Sequence, residues 1–98
     1  MALYKSVGID NRVLNNFVKE LRDRGIWAER HSYSIRLMYK ETIVASLHLY
    51  PGFNKAILKL YGGDIIDEYV ENNVKIVMLK FLPTFHLDIV KLEFKPLA

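Results

Sequence analysis

YSIRLMYKETIVASLHLYPGFNKAILKLY, residues 33–61, is the stretch that decides the fold. Its apolar and polar residues alternate with a period of two in three runs, which is the pattern of strands with one buried face. The runs are 33–40, 43–50 and 55–61. Pro51 presets one backbone angle, and Gly52 and Asn54 tolerate positive φ, so a turn is expected between the second and third runs. Together with residues 26–31, the pattern predicts an antiparallel meander of three or four strands.

The alternation sorts the meander into two faces. The apolar face, which a helix can cover, consists of Tyr33, Ile35, Leu37, Tyr39, Ile43, Ala45, Leu47, Leu49, Ala56, Leu58 and Leu60. The opposite face mixes cations, aromatics and hydroxyls, and consists of Ser34, Arg36, Met38, Ser46, His48, Tyr50, Lys55, Lys59 and Tyr61. Nothing in the sequence is assigned to cover this second face.

Working outward toward the N-terminus, residues 11–24 have the period of a helix. Asp10 is a suitable N-cap, cations in the last turn favour the helix dipole, and Gly25 suits the position after the helix end. The apolar stripe is Val13, Leu14, Phe17, Val18 and Leu21. We expect this helix to pack on the apolar face of the meander, and a short strand can precede it.

Working outward toward the C-terminus, we expect a short helix and then two strands. Asp64 is suited to cap a helix that runs through about Glu71, and Asn72-Asn73 is expected to end it. The apolar stretches 74–82 and 87–95 then predict a C-terminal β-hairpin. The predicted fold class is therefore α+β: an N-terminal helix on an antiparallel meander, a short second helix and a hairpin, in one domain spanning residues 1–98.

Composition excludes several classes of function. The chain has no cysteine, which rules out disulfides, thiolate metal sites and cysteine nucleophiles. No apolar run approaches the roughly 20 residues of a transmembrane helix, and the first residues do not resemble a signal peptide. We therefore expect a cytoplasmic protein, inside a host cell if the protein is viral, with no membrane partner. The formal net charge of +3 permits an anionic partner without requiring one.

The second face of the meander is the strongest candidate binding surface. Sheet surfaces that combine aromatics with Lys or Arg commonly hold single-stranded nucleic acid. The residues expected to bind it are Arg36, His48, Tyr50, Lys55, Lys59 and Tyr61. An ordinary solvated sheet face has a similar composition, so the pattern leaves both interpretations open.

Catalytic and metal sites are not expected. Asp64, Asp67, Glu68 and Glu71 share one helix face, but first-turn carboxylates are also favoured by the helix dipole. The three histidines lack metal-ligand spacing, and no nucleophile motif accompanies them. We therefore predict a non-enzymatic protein without a cofactor, a metal or a small-molecule substrate.

Self-association is the leading functional prediction. Residues 74–82, interpreted as a strand, are apolar on both faces, and a domain this small has little with which to cover the second face. A homodimer would bury it. The predicted interface consists of Val77, Leu79, Phe81, Val90, Leu92 and Phe94. The primary hypothesis is thus a binding domain that acts as a homodimer or on a partner protein, and nucleic-acid binding is the alternative.

The order helix, three strands, helix resembles the double-stranded RNA-binding domain family. That resemblance implies phosphate-binding lysines at the start of the second helix, where this chain has the acidic stretch GGDIID, residues 62–67. The stretch LRDRGIWAER, residues 21–30, resembles the opening of restriction-type and junction-resolving nucleases. That family needs an Asp and a Glu-x-Lys on the following strands, which here read IRLM and IVAS, at residues 35–38 and 43–46.

The composition of the whole chain, without cysteine and rich in Tyr, Ile, Leu and Lys, resembles that of small proteins from hyperthermophilic archaea and their viruses. This resemblance concerns composition only and carries no functional residues.

Overall fold

The computed structural model describes residues 8–92 and has a mixed α+β fold. Its elements in chain order are α1 (Asn11–Asp23), β1 (Trp27–His31), β2 (Ser34–Tyr39), β3 (Thr42–Tyr50), a 3₁₀ turn (Pro51–Phe53), β4 (Lys55–Leu60), α2 (Asp64–Phe81) and β5 (His86–Lys91). The α+β class, the first helix and the meander, which has four strands, are confirmed.

Helix α1 begins and ends as its sequence predicts. The Asp10 carboxylate accepts a hydrogen bond from the Arg12 backbone N–H at 2.7 Å. At the other end, Gly25 has a φ of +83°, which glycine adopts without the steric cost of a side chain. Its N–H donates to the Arg22 carbonyl, and the Ile26 N–H donates to the Leu21 carbonyl. This pair of bonds is a Schellman motif, and it turns the chain directly into β1.

The five strands form one sheet in the order β1-β2-β3-β4-β5. The first four are antiparallel, and β5 lies parallel to β4. Parallel neighbours need a crossover connection, and α2 supplies it. The predicted C-terminal hairpin is therefore wrong, because its first strand, residues 74–82, is the second half of a long helix.

Tertiary contacts explain why α2 continues through Asn72-Asn73. The Asn73 side chain donates to the Tyr69 carbonyl at 2.8 Å and accepts from the Arg24 guanidinium at 3.1 Å. Lys75 also pairs with Glu71 one turn earlier, at 2.8 Å. These contacts override the weak helix propensity of asparagine and of the β-branched residues that follow.

Both helices pack on the same side of the sheet. Phe17 of α1 and Phe81 of α2 meet edge to face, with ring centroids 6.4 Å apart. The apolar face of the meander is buried beneath the helices as predicted, with one exception. A β-bulge at Leu37/Met38 shifts the register between β2 and β3. As a result Val44 is buried in the core, whereas Ile43, expected there, is exposed.

Within residues 8–92, no helix combines the length and the apolar character that crossing a membrane requires.

Candidate functional site

The sheet surface opposite the two helices is not covered by any helix or strand of residues 8–92. We call it the open face. Its side chains form rows across the strands: Glu29, Arg36, Ser46, Lys59 and Val90 in one row, and His31, Ser34, His48, Ile57 and Asp88 in the next. Tyr50, Lys55 and His86 form a third row. Among residues 8–92, no helix or strand packs over this surface.

All six residues predicted to bind nucleic acid lie on the open face. Arg36 and Lys59 both pair with Ser46, from opposite sides, so their Cα atoms are roughly 10 Å apart across β3. Tyr50 pairs with Lys55 at one end, and Tyr61 follows β4 at the other. The antiparallel register thus brings together cations and aromatics that are up to 25 positions apart in sequence.

A shallow concavity of about 200 Å³ lies in this face. Its polar lining consists of His31, Ser34, Arg36, Ser46, His48 and Tyr61. The Ser34 hydroxyl lies 3.2 Å from Nδ1 of His48, so the two side chains hold each other in place. Hydroxyls, imidazoles and a guanidinium are groups that hydrogen-bond to phosphate oxygens and to base edges. The concavity is therefore suited to a polar, anionic ligand.

Two carboxylates moderate the charge of the open face. Glu29 lies 3.8 Å from Arg36, and Asp88 lies 3.1 Å from Lys55. The hydrogen bond from Lys55 lowers the pKa of Asp88 below its ordinary value, so this carboxylate stays charged at neutral pH. The rows then carry three cationic side chains against two carboxylates, which leaves one net positive charge with the histidines neutral. Lys59 has no ion pair within the described chain.

The sequence interpretation missed the contributions of β1 and β5 to this face. The period of two in β1 places His31 beside Ser34, and that signal was present in residues 26–31. Asp88 and His86 could not be placed, because the expected hairpin set their strand against the wrong neighbour. In the structure His86 lies 3.0 Å from Asp88. The three histidines, which are far apart in sequence, all lie on the open face.

The predicted dimer interface is not brought together. Val77 is fully buried in the core, and Phe81 packs against Phe17. Leu79 is exposed on α2, whereas Val90 of β5 and Leu92, which follows it, are exposed at the β5 edge of the sheet. Phe94 lies outside the described residues. A helix instead of a strand causes this separation, because Val77 and Phe81, one turn apart, both point toward the core, whereas Leu79 points away from it.

The acidic cluster of α2 has structural contacts. Asp67 is buried and accepts a hydrogen bond from the Gly62 N–H at 2.9 Å, and Glu71 pairs with Lys75. Asp64, expected as the N-cap, is the first helical residue, and Gly63 occupies the cap position. In residues 8–92, no group of three or more His, Asp or Glu side chains is arranged to hold a metal ion.

The outer edge of β1 is protected by α1. The Arg22 guanidinium donates from Nε and Nη2 to the Ala28 carbonyl, at 3.1 and 2.8 Å. The same guanidinium lies 4.0 Å from the centre of the half-exposed Trp27 ring. An edge strand whose carbonyl is already bonded pairs less readily with another chain. Association through this edge is thus disfavoured at Ala28.

Comparisons of the chain with protein-family models, with curated proteins and with solved structures found no match.

Proposed function

We propose that this protein is a non-catalytic module that binds single-stranded nucleic acid across the open face. The observation that carries the proposal is the row in which Arg36, Ser46 and Lys59 lie side by side on three adjacent strands, with tyrosines at both ends of the same face. Cations spaced across a sheet bind the phosphate backbone, and exposed tyrosines offer stacking platforms for bases.

The geometry favours a single strand over a duplex. The open face is a broad sheet surface, and its aromatic residues can contact bases only when the bases are unpaired. The exposed side chains are hydrogen-bonding groups without a motif that reads a particular base. We therefore expect sequence-tolerant binding whose affinity comes mainly from phosphate contacts and stacking.

The salt dependence of binding tests the cationic row. Fluorescence anisotropy with a labelled twelve-nucleotide oligo(dT) or oligo(rU) gives the affinity at several salt concentrations. Each phosphate contact to a single strand contributes about −0.7 to the slope of log K against log salt. Replacing Arg36 and Lys59 by Gln should make the slope shallower by roughly 1.4 and weaken binding at least about tenfold at low salt.

A matched control removes the same charge from the other side of the molecule. Arg12 and Lys19 are exposed on α1, so R12Q together with K19Q removes one arginine and one lysine. This variant should bind like the wild type. Equal losses in both double variants would show that net charge alone drives binding, and no affinity at the lowest salt would disprove the proposal.

The two carboxylates offer a test in the opposite direction. Glu29 and Asp88 compete with phosphate for Arg36 and Lys55. Replacing them by Gln and Asn should therefore strengthen binding and steepen the salt slope.

Stacking is tested at Tyr61: Y61L should weaken binding by about 1–3 kcal/mol, whereas Y61F, which keeps the ring, should not.

A further inference from the structure

Helix α2 is apolar on two opposite faces. Its inner face packs on the sheet through Val70, Val74 and Val77, which are fully buried. Its outer face is nevertheless largely hydrophobic. The exposed fractions there are 87% for Ile65, 40% for Tyr69, 48% for Ile76 and 72% for Leu79. A helix that only covers a sheet has a polar outer face. Packing on the sheet therefore does not explain why the outer face of α2 is apolar.

The spacing of the outer stripe is that of a coiled-coil seam. Its positions are 65, 69, 72, 76 and 79, separated by four, three, four and three residues. These intervals are the alternating d and a positions of two heptads. The exposed Asn72 occupies the middle position, and a polar residue at one seam position commonly fixes the register of a helix pair.

We propose that α2 is a self-association surface, and that two copies of this chain pair their α2 helices in antiparallel fashion about a two-fold axis near the middle of the stripe. Ile65, at one end of the stripe, then lies near the partner's Ile76 and Leu79, which form the other end of the partner's stripe. The stripe has large, mainly apolar residues on both sides of the polar Asn72, so it can face an inverted copy of itself. Self-complementarity of this kind is what a symmetric dimer requires.

The charges beside the seam favour the antiparallel arrangement. Glu68 and Lys75 occupy the same flanking heptad position, one heptad apart. Antiparallel pairing sets Glu68 against the partner's Lys75, and the two-fold axis repeats this pair. Parallel pairing would instead set Lys75 against the partner's Lys80, a like-charge contact. The present bond between Lys75 and Glu71 is exposed, so Lys75 can turn toward either carboxylate.

Apolar hollows adjoin both ends of the stripe. At the start of α2, a cleft of about 500 Å³ is lined by Tyr39, Ile43, Ile65 and Tyr69, among others. Near its end, a hollow of about 210 Å³ is lined by Met78, Leu79, Leu82 and Phe85, among others. An antiparallel partner places one end of its own stripe near each hollow, which adds apolar contact at both ends of the helix pair.

The proposed contact is small and leaves the open face accessible. The stripe is about 21 Å long, which places the interface at or below the lower end of the size range of stable dimers. We therefore expect a dissociation constant in the micromolar range or weaker. Because the helices lie on the opposite side of the sheet, each dimer presents two free open faces. Loss of self-association and loss of nucleic-acid binding are thus separable outcomes.

Sedimentation velocity from 10 µM to 1 mM tests self-association. The wild type should shift from an 11.5 kDa monomer toward twice that mass. L79E should remain monomeric with an unchanged circular dichroism spectrum, because the side chain is exposed. F53E is the matched control, since Phe53 is 83% exposed but lies outside α2. A wild type that stays monomeric at 1 mM, or a dimer that tolerates L79E, would overturn the proposal.

Cross-linking between introduced cysteines determines the relative orientation of the two α2 helices. The chain has no cysteine of its own, so no other residue pair reacts with a maleimide cross-linker as a thiol. I65C and L79C proteins are mixed and treated with a short bis-maleimide. Antiparallel pairing should give the mixed cross-linked species and little of either homodimer, whereas parallel pairing would give the homodimers.

Charge reversal provides an independent check: E68K and K75E should each weaken the dimer, and the double variant should restore it. Failure of the double variant to do so would contradict the antiparallel register.

Discussion

The two helices of this protein lie side by side on one sheet face, yet they differ in what they expose. Helix α1 has one apolar stripe, whose members Leu14, Phe17 and Leu21 are buried, and a polar outer face. Helix α2 buries Val70, Val74 and Val77 but exposes a second apolar stripe. The comparison shows that a helix can carry more hydrophobic surface than its own domain covers. The self-association proposed for α2 would cover this exposed stripe.

The helices also start differently. In α1 the cap is a side chain, since Asp10 accepts from the Arg12 N–H. In α2 the cap position is Gly63, and Asp67 reaches back from the first turn to the Gly62 N–H. Gly62 itself lies against Ile66 and Val44. The start of α2 is therefore packed against the core at Gly62 and Asp67, although Ile65 is exposed, whereas the start of α1 is exposed.

The largest expected effect separates the two faces of α2. V77D places a carboxylate at a fully buried position without a partner, so it should cost several kcal/mol and unfold much of the protein. L79D, two residues later, should leave the free energy of unfolding nearly unchanged, because Leu79 is exposed. Urea unfolding followed by circular dichroism compares the two variants directly. Similar losses in both would contradict the orientation of α2.

The two helices also show which parts of the fold the sequence could predict and which it could not. Residues 11–24 have one stripe and clear end signals, so period and caps were enough for α1. In residues 74–82, apolar residues on both helix faces leave no 3.6-residue contrast, and β-branched Val74, Ile76 and Val77 favour a strand by propensity. The hydrogen bond that Asn73 accepts from Arg24, the C-cap residue of α1, joins residues 49 positions apart, so the local sequence could not predict it.

The open face was easier to predict than its two edge strands. Period two within residues 33–61 was sufficient to collect all six predicted residues on one face, because antiparallel neighbours keep side-chain alternation in step. The bulge at Leu37/Met38 places Val44 in the core and leaves Ile43 exposed, and strict alternation of side chains cannot predict a bulge. The pairing of β5 with β4 depends on the crossover by α2. The positions of Asp88 and His86 on the open face could therefore not be predicted while residues 74–82 were interpreted as a strand.

The second prediction concerns the packed start of α2. A Cβ at Gly62 would lie 2.8 Å from Cγ2 of Ile66 and 3.0 Å from Cβ of Val44. G62A should therefore destabilise the protein by about 1–3 kcal/mol through overpacking. Thermal unfolding measures the loss. In a double-mutant cycle, I66A should offset part of it by removing the nearer methyl group, and strictly additive losses would contradict this placement of the loop.

The third prediction concerns the exposed start of α1. D10A removes the hydrogen bond to the Arg12 N–H and should cost about 1 kcal/mol, the usual value of an N-cap. D10N, which keeps an acceptor oxygen, should retain most of the stability. Urea unfolding of the three proteins gives the comparison. If D10N lost as much as D10A, the acceptor oxygen of Asp10 would not be what stabilises the helix start.

The smallest expected effect lies where the two helices meet. Glu20 of α1 pairs with Lys80 of α2 at 2.5 Å and with Arg24 at 3.3 Å. The hydrogen bond from Lys80 lowers the pKa of Glu20 below its ordinary value of 4.5. Because the folded state binds this proton less readily than the unfolded state, the pair contributes stability above pH 4.5. That contribution is lost as the pH falls through the folded pKa.

E20Q and K80Q should therefore be slightly less stable than the wild type at pH 7, and the difference should shrink as the pH falls below 4.5. Lys80 is largely exposed and Glu20 is partly exposed, so the effect at pH 7 is expected to be small and to weaken further at high salt. Urea unfolding at pH 7 and at pH 3, with and without added salt, measures it. A difference that is the same at both pH values would mean that packing of the side-chain stems, and not the ion pair, links α1 to α2 at this point.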